Sequence, residues 1–259
     1  MLDPMKQLLF LPLLLALGSC GQGPGAAQAK TSGARSRPTA QKGTEKKAQA
    51  KHPEVGDPSV HGALSAETLF EIAMRYFNAK KFDDALLHLA MGIEKYPDRP
   101  EFYDARASIL VERKEFTKAL ADREKAVSLS PNDPRFLVNR AFLYFKFGRY
   151  DSGMKDLDKA ISLEPLFYPA HFLKARMLAG KKAFAEALKE YNLCEKAEPE
   201  IAKTYGTRAF VYWALGRRSD AIADMKKYAE LTKDPKQQEM AKKAIAAWKA
   251  GEVEKKGGK

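Results

Sequence analysis

The chain has 259 residues, 45 Lys and Arg against 33 Asp and Glu, and a formal net charge of +12. Its two cysteines exclude a disulfide-stapled scaffold, and its longest N-terminal apolar run is far short of the roughly 20 residues of a membrane-spanning helix. The excess charge is uneven: residues 21–62 hold seven bases against three acids, and residues 249–259 hold four against two.

Lys6 begins the chain's first pattern. Leu8 to Leu17 follows as an apolar run broken only by Pro12, the proportions of a secretory signal peptide over residues 1–19. Leu17, Gly18, Ser19 and Cys20 then resemble a bacterial lipobox, an aliphatic residue and two small ones before a cysteine that becomes lipidated at the mature N-terminus. That resemblance implies acyl anchoring at Cys20, each buried methylene contributing about 0.8 kcal/mol. Gly21, a non-acidic residue after the cysteine, implies an outer-membrane lipoprotein facing the periplasm.

Residues 20–62 read as a lipidated cysteine and a disordered tether. Beyond Cys20 the segment contains no aromatic residue and no Leu, Ile or Met, so it cannot bury enough apolar surface to offset its ordering entropy. Its basic charge predicts weak attraction to anionic lipid or cell-wall polymer. Nucleic-acid binding fits poorly with export.

From residue 63 the composition changes. Pro97, Pro131, Pro165 and Pro199 are each 34 residues apart, a period that signals stacked repeats. They define units 66–99, 100–133, 134–167 and 168–201, with a degenerate fifth at 202–235. Place eight of each unit is Ala73, Ala107, Ala141, Ala175 and Ala209. Place twenty is Ala85, Ala119, Gly153, Ala187 and Ala221. Place eleven holds Tyr76, Leu110, Tyr144, Leu178 and Tyr212, and place seventeen holds Phe82, Phe116, Tyr150 and Phe184, breaking at Arg218.

This pattern resembles the tetratricopeptide repeat. The resemblance implies an all-α helical-repeat solenoid over 63–235, each unit a pair of antiparallel helices brought close by the small residues. Place seven (Arg106, Arg140, Lys174, Arg208) is matched by an acid at place twenty-three (Asp122, Asp156, Glu190, Asp224), and both change together in the first unit, to Ile72 and His88. A matched acid for every base points to pairing between the two helices, each exposed pair contributing about 0.2–1 kcal/mol. Residues 236–250 read as a further capping helix, with Met240, Ile245 and Trp248 toward the last repeat, because an end repeat otherwise exposes its apolar face. Residues 251–259 read as a disordered tail.

The resemblance further implies a right-handed superhelix with the first helices lining a concave groove. Places five, nine and twelve share one helical face. With neighbouring positions they give Phe70, Met74, Phe77, Val138, Phe142, Phe145, Phe172, Arg176, Phe210 and Trp213 as candidate groove residues. Lys146, Glu112 and Asp104 interrupt the row. Two readings stay open at this stage, a groove for a protein or peptide segment with apolar anchors and packing between successive repeats. Only Asn139 fits the family's clamp for acidic C-termini.

No motif for catalysis, metal binding or a cofactor is present, and nothing points to a small-molecule substrate. His52 and His61 lie in the tether, while His88 and His171 occupy framework places. Cys194 stands where other units have Gly92, Ala126 and Ala160, so it reads as a buried small residue. The sequence predicts a non-enzymatic, lipid-anchored adaptor or assembly factor. The alternative is a structural envelope protein that self-associates through its repeats.

Overall fold

The computed structural model describes residues 64–257, with side chains as far as residue 250. The signal segment, Cys20, the tether and the last two residues lie outside the described part. Among the described residues every regular element is a helix. First helices are α1 (Ala66–Asn78), α3 (Pro100–Glu112), α5 (Pro134–Lys146), α7 (Tyr168–Gly180) and α9 (Ala202–Ala214). Second helices are α2 (Phe82–Lys95), α4 (Phe116–Leu129), α6 (Tyr150–Leu163), α8 (Phe184–Ala197) and α10 (Arg218–Leu231). The chain then forms α11 (Pro235–Gly257).

Each pair packs as an antiparallel hairpin, and each second helix also packs on the next first helix. Two pairs of successive first helices, α1 with α3 and α5 with α7, also pack on each other, and no pair of second helices does so to the same extent. The stack therefore bends toward its first helices, which form the inner layer.

Small residues make this close packing possible. Ala73, Ala107, Ala141, Ala175 and Ala209 are fully buried, as are Ala85, Ala119, Ala187 and Ala221 opposite them. A Cβ on Gly153 would lie 3.1 Å from Met177 Cε and 3.2 Å from the Ala141 carbonyl oxygen. At place twenty-seven, Gly92 is filled by the ring of the fully buried Phe102.

The turns obey the same register. Second helices of the first four units end two residues before the repeating proline, the amides of Tyr96, Ser130, Glu164 and Glu198 closing onto the carbonyls of Gly92, Ala126, Ala160 and Cys194. In the fifth unit α10 ends at Leu231, and Pro235 opens α11 instead of closing α10. Proline suits a first helical turn because its missing amide would have no partner there, and Pro100 and Pro134 play the same part.

The turns from first to second helix take a left-handed residue at place fifteen in every unit. It is Lys80, Lys114, Gly148, Lys182 and Gly216, with φ between 58° and 75°. Because all first helices run the same way, these five turns form one edge of the stack. Two bases stand in each: Lys80 and Lys81, Arg113 and Lys114, Lys146 and Arg149, Lys181 and Lys182, Arg217 and Arg218. Neighbouring turns touch: Arg113 pairs with Asp83, Lys146 lies 5.6 Å from the Phe116 ring centroid, and Lys181 lies 4.7 Å from that of Tyr150.

Candidate functional site

Three structural questions decide what the inner layer can do: what holds each hairpin, what covers the aromatic row, and which side chains remain available.

The predicted charge pairs hold the hairpins. Arg106 donates from Nε and Nη2 to Asp122 at 2.7 and 2.7 Å, Arg140 to Asp156 at 2.8 and 2.7 Å, and Arg208 to Asp224 at 2.7 and 3.0 Å. Lys174 reaches Glu190 at 3.1 Å. These pairs are less exposed than surface bridges, the aspartates being buried and the bonds to three of them bidentate. Bidentate charge-assisted bonds are stronger and geometrically selective. The arginines at 106 and 140 are held charged by these bonds to their partners, against the effect of burial. Burial opposes the Arg208 charge, but its hydrogen bonds to Asp224 and Glu195 outweigh it. In the first unit Ile72 and His88 take these places, and His88 is buried, stacks on Tyr76 and has Nδ1 2.8 Å from the Asp84 carbonyl oxygen.

Place four adds a second tie that the sequence did not announce. Tyr103 and Tyr205 donate their hydroxyls to the carbonyls of Pro97 and Pro199, at 3.0 and 2.8 Å. His171 substitutes for tyrosine there, with Nε2 3.0 Å from the Pro165 carbonyl oxygen and Nδ1 2.7 Å from Glu190. Both partners are acceptors, so the imidazolium form satisfies both nitrogens. The bond to Glu190 raises the His171 pKa, against the opposing effect of burial.

The aromatic row divides. Val138 and Phe172 are buried, at 8% and 5% exposure, so they are floor and not contact surface. Phe70 packs edge-on against Phe102 of the next unit, and Phe77 lies against Phe82. Phe142 and Phe145 are half-buried against the central core, Phe145 meeting Tyr150 edge-on. Phe210 and Trp213 are covered by the cap: Trp248 meets Phe210 edge-on at 5.7 Å and stacks on Trp213 at 4.8 Å and 12°. The row is thus largely packing between successive units, because places five, nine and twelve of one unit face the next first helix. Met74 and Arg176 are partly exposed, to the same degree as the half-buried aromatics of the row.

Trp248 stands 35 residues after Trp213, the same step that separates Gly180 from Phe145, which also lie against each other. The cap is therefore the first helix of a sixth unit in register. It was expected over 236–250 and runs to Gly257. Ile245 and Trp248 pack on the last repeat as expected, whereas Met240, expected beside them, is exposed at 60% because it lies on the outer face of α11.

Polar side chains on the inner layer segregate. In the second unit Asp104 pairs with Arg123, which also donates to Ser108, and Asp104 accepts from Asn139 at 3.1 Å. Asn139 is engaged within the array, which removes it from any clamp. Arg123, missed in the sequence reading, is the buried centre of this network. In the later units cations lie over rings instead: Lys146 over Phe142 at 5.8 Å, and Arg176 and Lys203 over Phe172 at 5.9 and 5.4 Å.

Cys194 is buried, and burial pushes its thiol up to about 12, which suits a packing residue and not a nucleophile. Among the described residues no group of three His, Cys, Asp or Glu could hold a metal ion.

Family models described as tetratricopeptide repeat match residues 70–134, 139–199 and 202–235. The chain belongs to the tetratricopeptide repeat family. Folds of this family are generally binding scaffolds for protein or peptide partners. Among curated proteins none matches the chain. Among solved structures, PilW, a widely conserved type IV pilus biogenesis factor, is 21% identical with a TM-score of 0.63, over 72% of this chain and 91% of that one. A tetratricopeptide repeat protein from Parabacteroides merdae ATCC 43184 is 20% identical with a TM-score of 0.61, over 73% of each chain. YrrB, a TPR protein with an unusual peptide-binding site, is 18% identical with a TM-score of 0.51, over 69% of this chain and 92% of that one. At these identities the likeness concerns the fold.

Proposed function

We propose that this protein is a lipid-anchored adaptor or assembly factor of the bacterial outer membrane, docking a protein segment on its inner layer on the periplasmic side. The observation that carries the docking half is the inner surface itself. Five first helices and the cap form a continuous wall with Val138 and Phe172 as its buried floor, leaving Met74, Phe142, Phe145 and Arg176 as partly exposed contacts. The occupant is an extended or helical segment that brings apolar anchors. The anchoring half rests on the lipobox-like Leu17–Gly18–Ser19–Cys20. The likeness to a pilus biogenesis factor in fold is consistent with an assembly role but is analogy in itself.

The test is co-purification of the full-length protein from detergent-solubilised envelopes, beside a Met74→Lys, Arg176→Glu variant whose helical content is checked by circular dichroism. A stoichiometric partner held by the parent and lost by the variant supports docking on the inner layer. A partner held equally by both sinks it. Cys20→Ser should move the protein out of the membrane fraction, and retention there would remove the lipid anchor from the account.

A further inference from the structure

The two edges of the stack differ in charge. The five turns from first to second helix, residues 78–82, 112–116, 146–150, 180–184 and 214–218, hold ten bases and two acids. The turns on the opposite edge, 96–100, 130–134, 164–168, 198–202 and 232–236, hold three bases and six acids. Helix dipoles do not explain this, since each edge contains both helix ends in every unit. Among the described residues only Arg113 and Arg217 of the ten are in ion pairs, with Asp83 and Asp220. Two large apolar side chains stand exposed among these bases, Phe147 at 42% between Lys146 and Arg149 and Leu215 at 41% beside Arg217 and Arg218, whereas the one exposed on the opposite edge, Leu166 at 43%, has no base in its turn.

Backbone geometry supplies an independent observation. Place fifteen is left-handed in every turn, and glycine fills it in the two turns that carry Phe147 and Leu215. In the other three the residue is Lys80, Lys114 or Lys182, at φ 58°, 62° and 61°. An L-residue with a long side chain is strained there where glycine is not. Each turn therefore carries either an apolar tip or a lysine retained at a conformational penalty.

We propose that this edge rests on the anionic face of a phospholipid bilayer, the cations meeting headgroup phosphates and Phe147 and Leu215 entering the interface. Basic side chains around isolated apolar tips fit an interfacial surface, whereas a soluble polyanion has no use for the tips. The described chain starts at Leu64 on the opposite edge, where its carbonyl accepts from Lys95 and Tyr96, so the beginning of the described chain leaves the basic edge uncovered. The surface is independent of acylation at Cys20.

The test uses full-length protein carrying Cys20→Ser, floated with vesicles of phosphatidylcholine alone or with about 30% phosphatidylglycerol added to give a negative surface potential. The apolar run at residues 8–17 acts on both vesicle types, so the readout is the ratio of binding to anionic over neutral vesicles. Each surface-facing cation strengthens binding to an anionic membrane about fivefold. Lys80→Gly, Lys114→Gly, Lys182→Gly removes three cations and relieves three strained residues. The ratio should fall by about tenfold or more while the thermal midpoint holds or rises. An unchanged ratio in this stable variant overturns the proposal. Phe147→Ser, Leu215→Ser should weaken vesicle binding and leave binding to soluble polyphosphate unchanged. If that pair alters neither, and polyphosphate binds as tightly as the vesicles, the occupant is a soluble polyanion and the bilayer is excluded.

Discussion

The first and fifth units share one hairpin geometry and hold it by different chemistry. In the fifth, buried Arg208 ties α9 to α8 and α10 through four hydrogen bonds, two to Asp224 and one each to Asn192 and Glu195, and Tyr205 reaches Glu195 and Pro199 beside it. In the first, Ile72 and His88 stand at those places, and an aromatic stack of His88 on Tyr76 replaces the ion pair. The fifth unit is also sealed by α11 through Trp248. The lesson is that the close helix approach set by Ala73 or Ala209 defines the fold, and the charge pair fixes register and local stability on top of it. In a repeat array stability is roughly a sum of unit and interface contributions. The fifth unit should therefore open last and the first unit early.

The largest test of this contrast is Arg208→Ala. It leaves Asp224 buried without its partner, and breaking such a pair is expected to cost about 3–5 kcal/mol. Hydrogen exchange should show the loss concentrated in α9 to α11. Equal loss across all units would mean the array unfolds as one block and the contrast has no local meaning.

Next in size is Gly92→Ala in the first unit. The added Cβ would fall within 2.2 Å of the Phe102 ring, which is fully buried and cannot swing away. Overpacking of this kind costs about 1–3 kcal/mol, and here it should part α2 from α3. Urea titration of the variant measures it, and an unchanged midpoint would show that the first unit is looser than its packing implies.

His171 allows a smaller and pH-dependent test between the two extremes. Its folded pKa is raised above the ordinary value of 6.5 by Glu190. The stability it contributes is fully present below about 6.5 and is lost as pH rises through the raised folded value. Denaturation midpoints should therefore fall between pH 6 and pH 8.5. Glu190, lowered by His171 and Lys174 against the effect of burial, gives stability that is lost only at more acid pH, outside this range. His171→Tyr copies Tyr103 and Tyr205, keeps a donor for Pro165, and should flatten the profile. A profile that stays as steep would assign the pH dependence elsewhere.

The smallest effect is a gain. Each of Lys80→Gly, Lys114→Gly and Lys182→Gly should stabilise by no more than about 1 kcal/mol, strain relief being partly offset by the freer unfolded chain. Differential scanning calorimetry resolves the sum in the triple variant. A fall in the midpoint would mean these lysines stabilise their turns through contacts beyond the backbone.

Much of this architecture was legible before the structure. Ala73 and its equivalents recur at 34 residues because only small side chains fit a close helix pair. Arg208 and Asp224 sit at places that change together, so their pairing was visible too. The inner surface was not legible. Whether Phe172 or Phe210 faces solvent depends on how far the next first helix advances, a tertiary quantity that no periodicity encodes. Phe172 proved buried and Phe210 lies under Trp248. The His171 arrangement escaped because its two acceptors, Pro165 and Glu190, come from different segments. The charged edge was present in the sequence as paired bases in each turn, and it takes meaning only once all five turns are seen to share one side.

The most direct test of the adaptor reading places a photoactivatable phenylalanine at Met74, at Arg176 or at Lys189 of the full-length protein in the native envelope. Met74 and Arg176 lie on the inner layer, and Lys189 is exposed on second helix α8. The account predicts that illumination gives the same discrete protein adduct from both inner positions and none from Lys189. An adduct from Lys189 with none from the inner positions would contradict it and move the docking surface to the outer face.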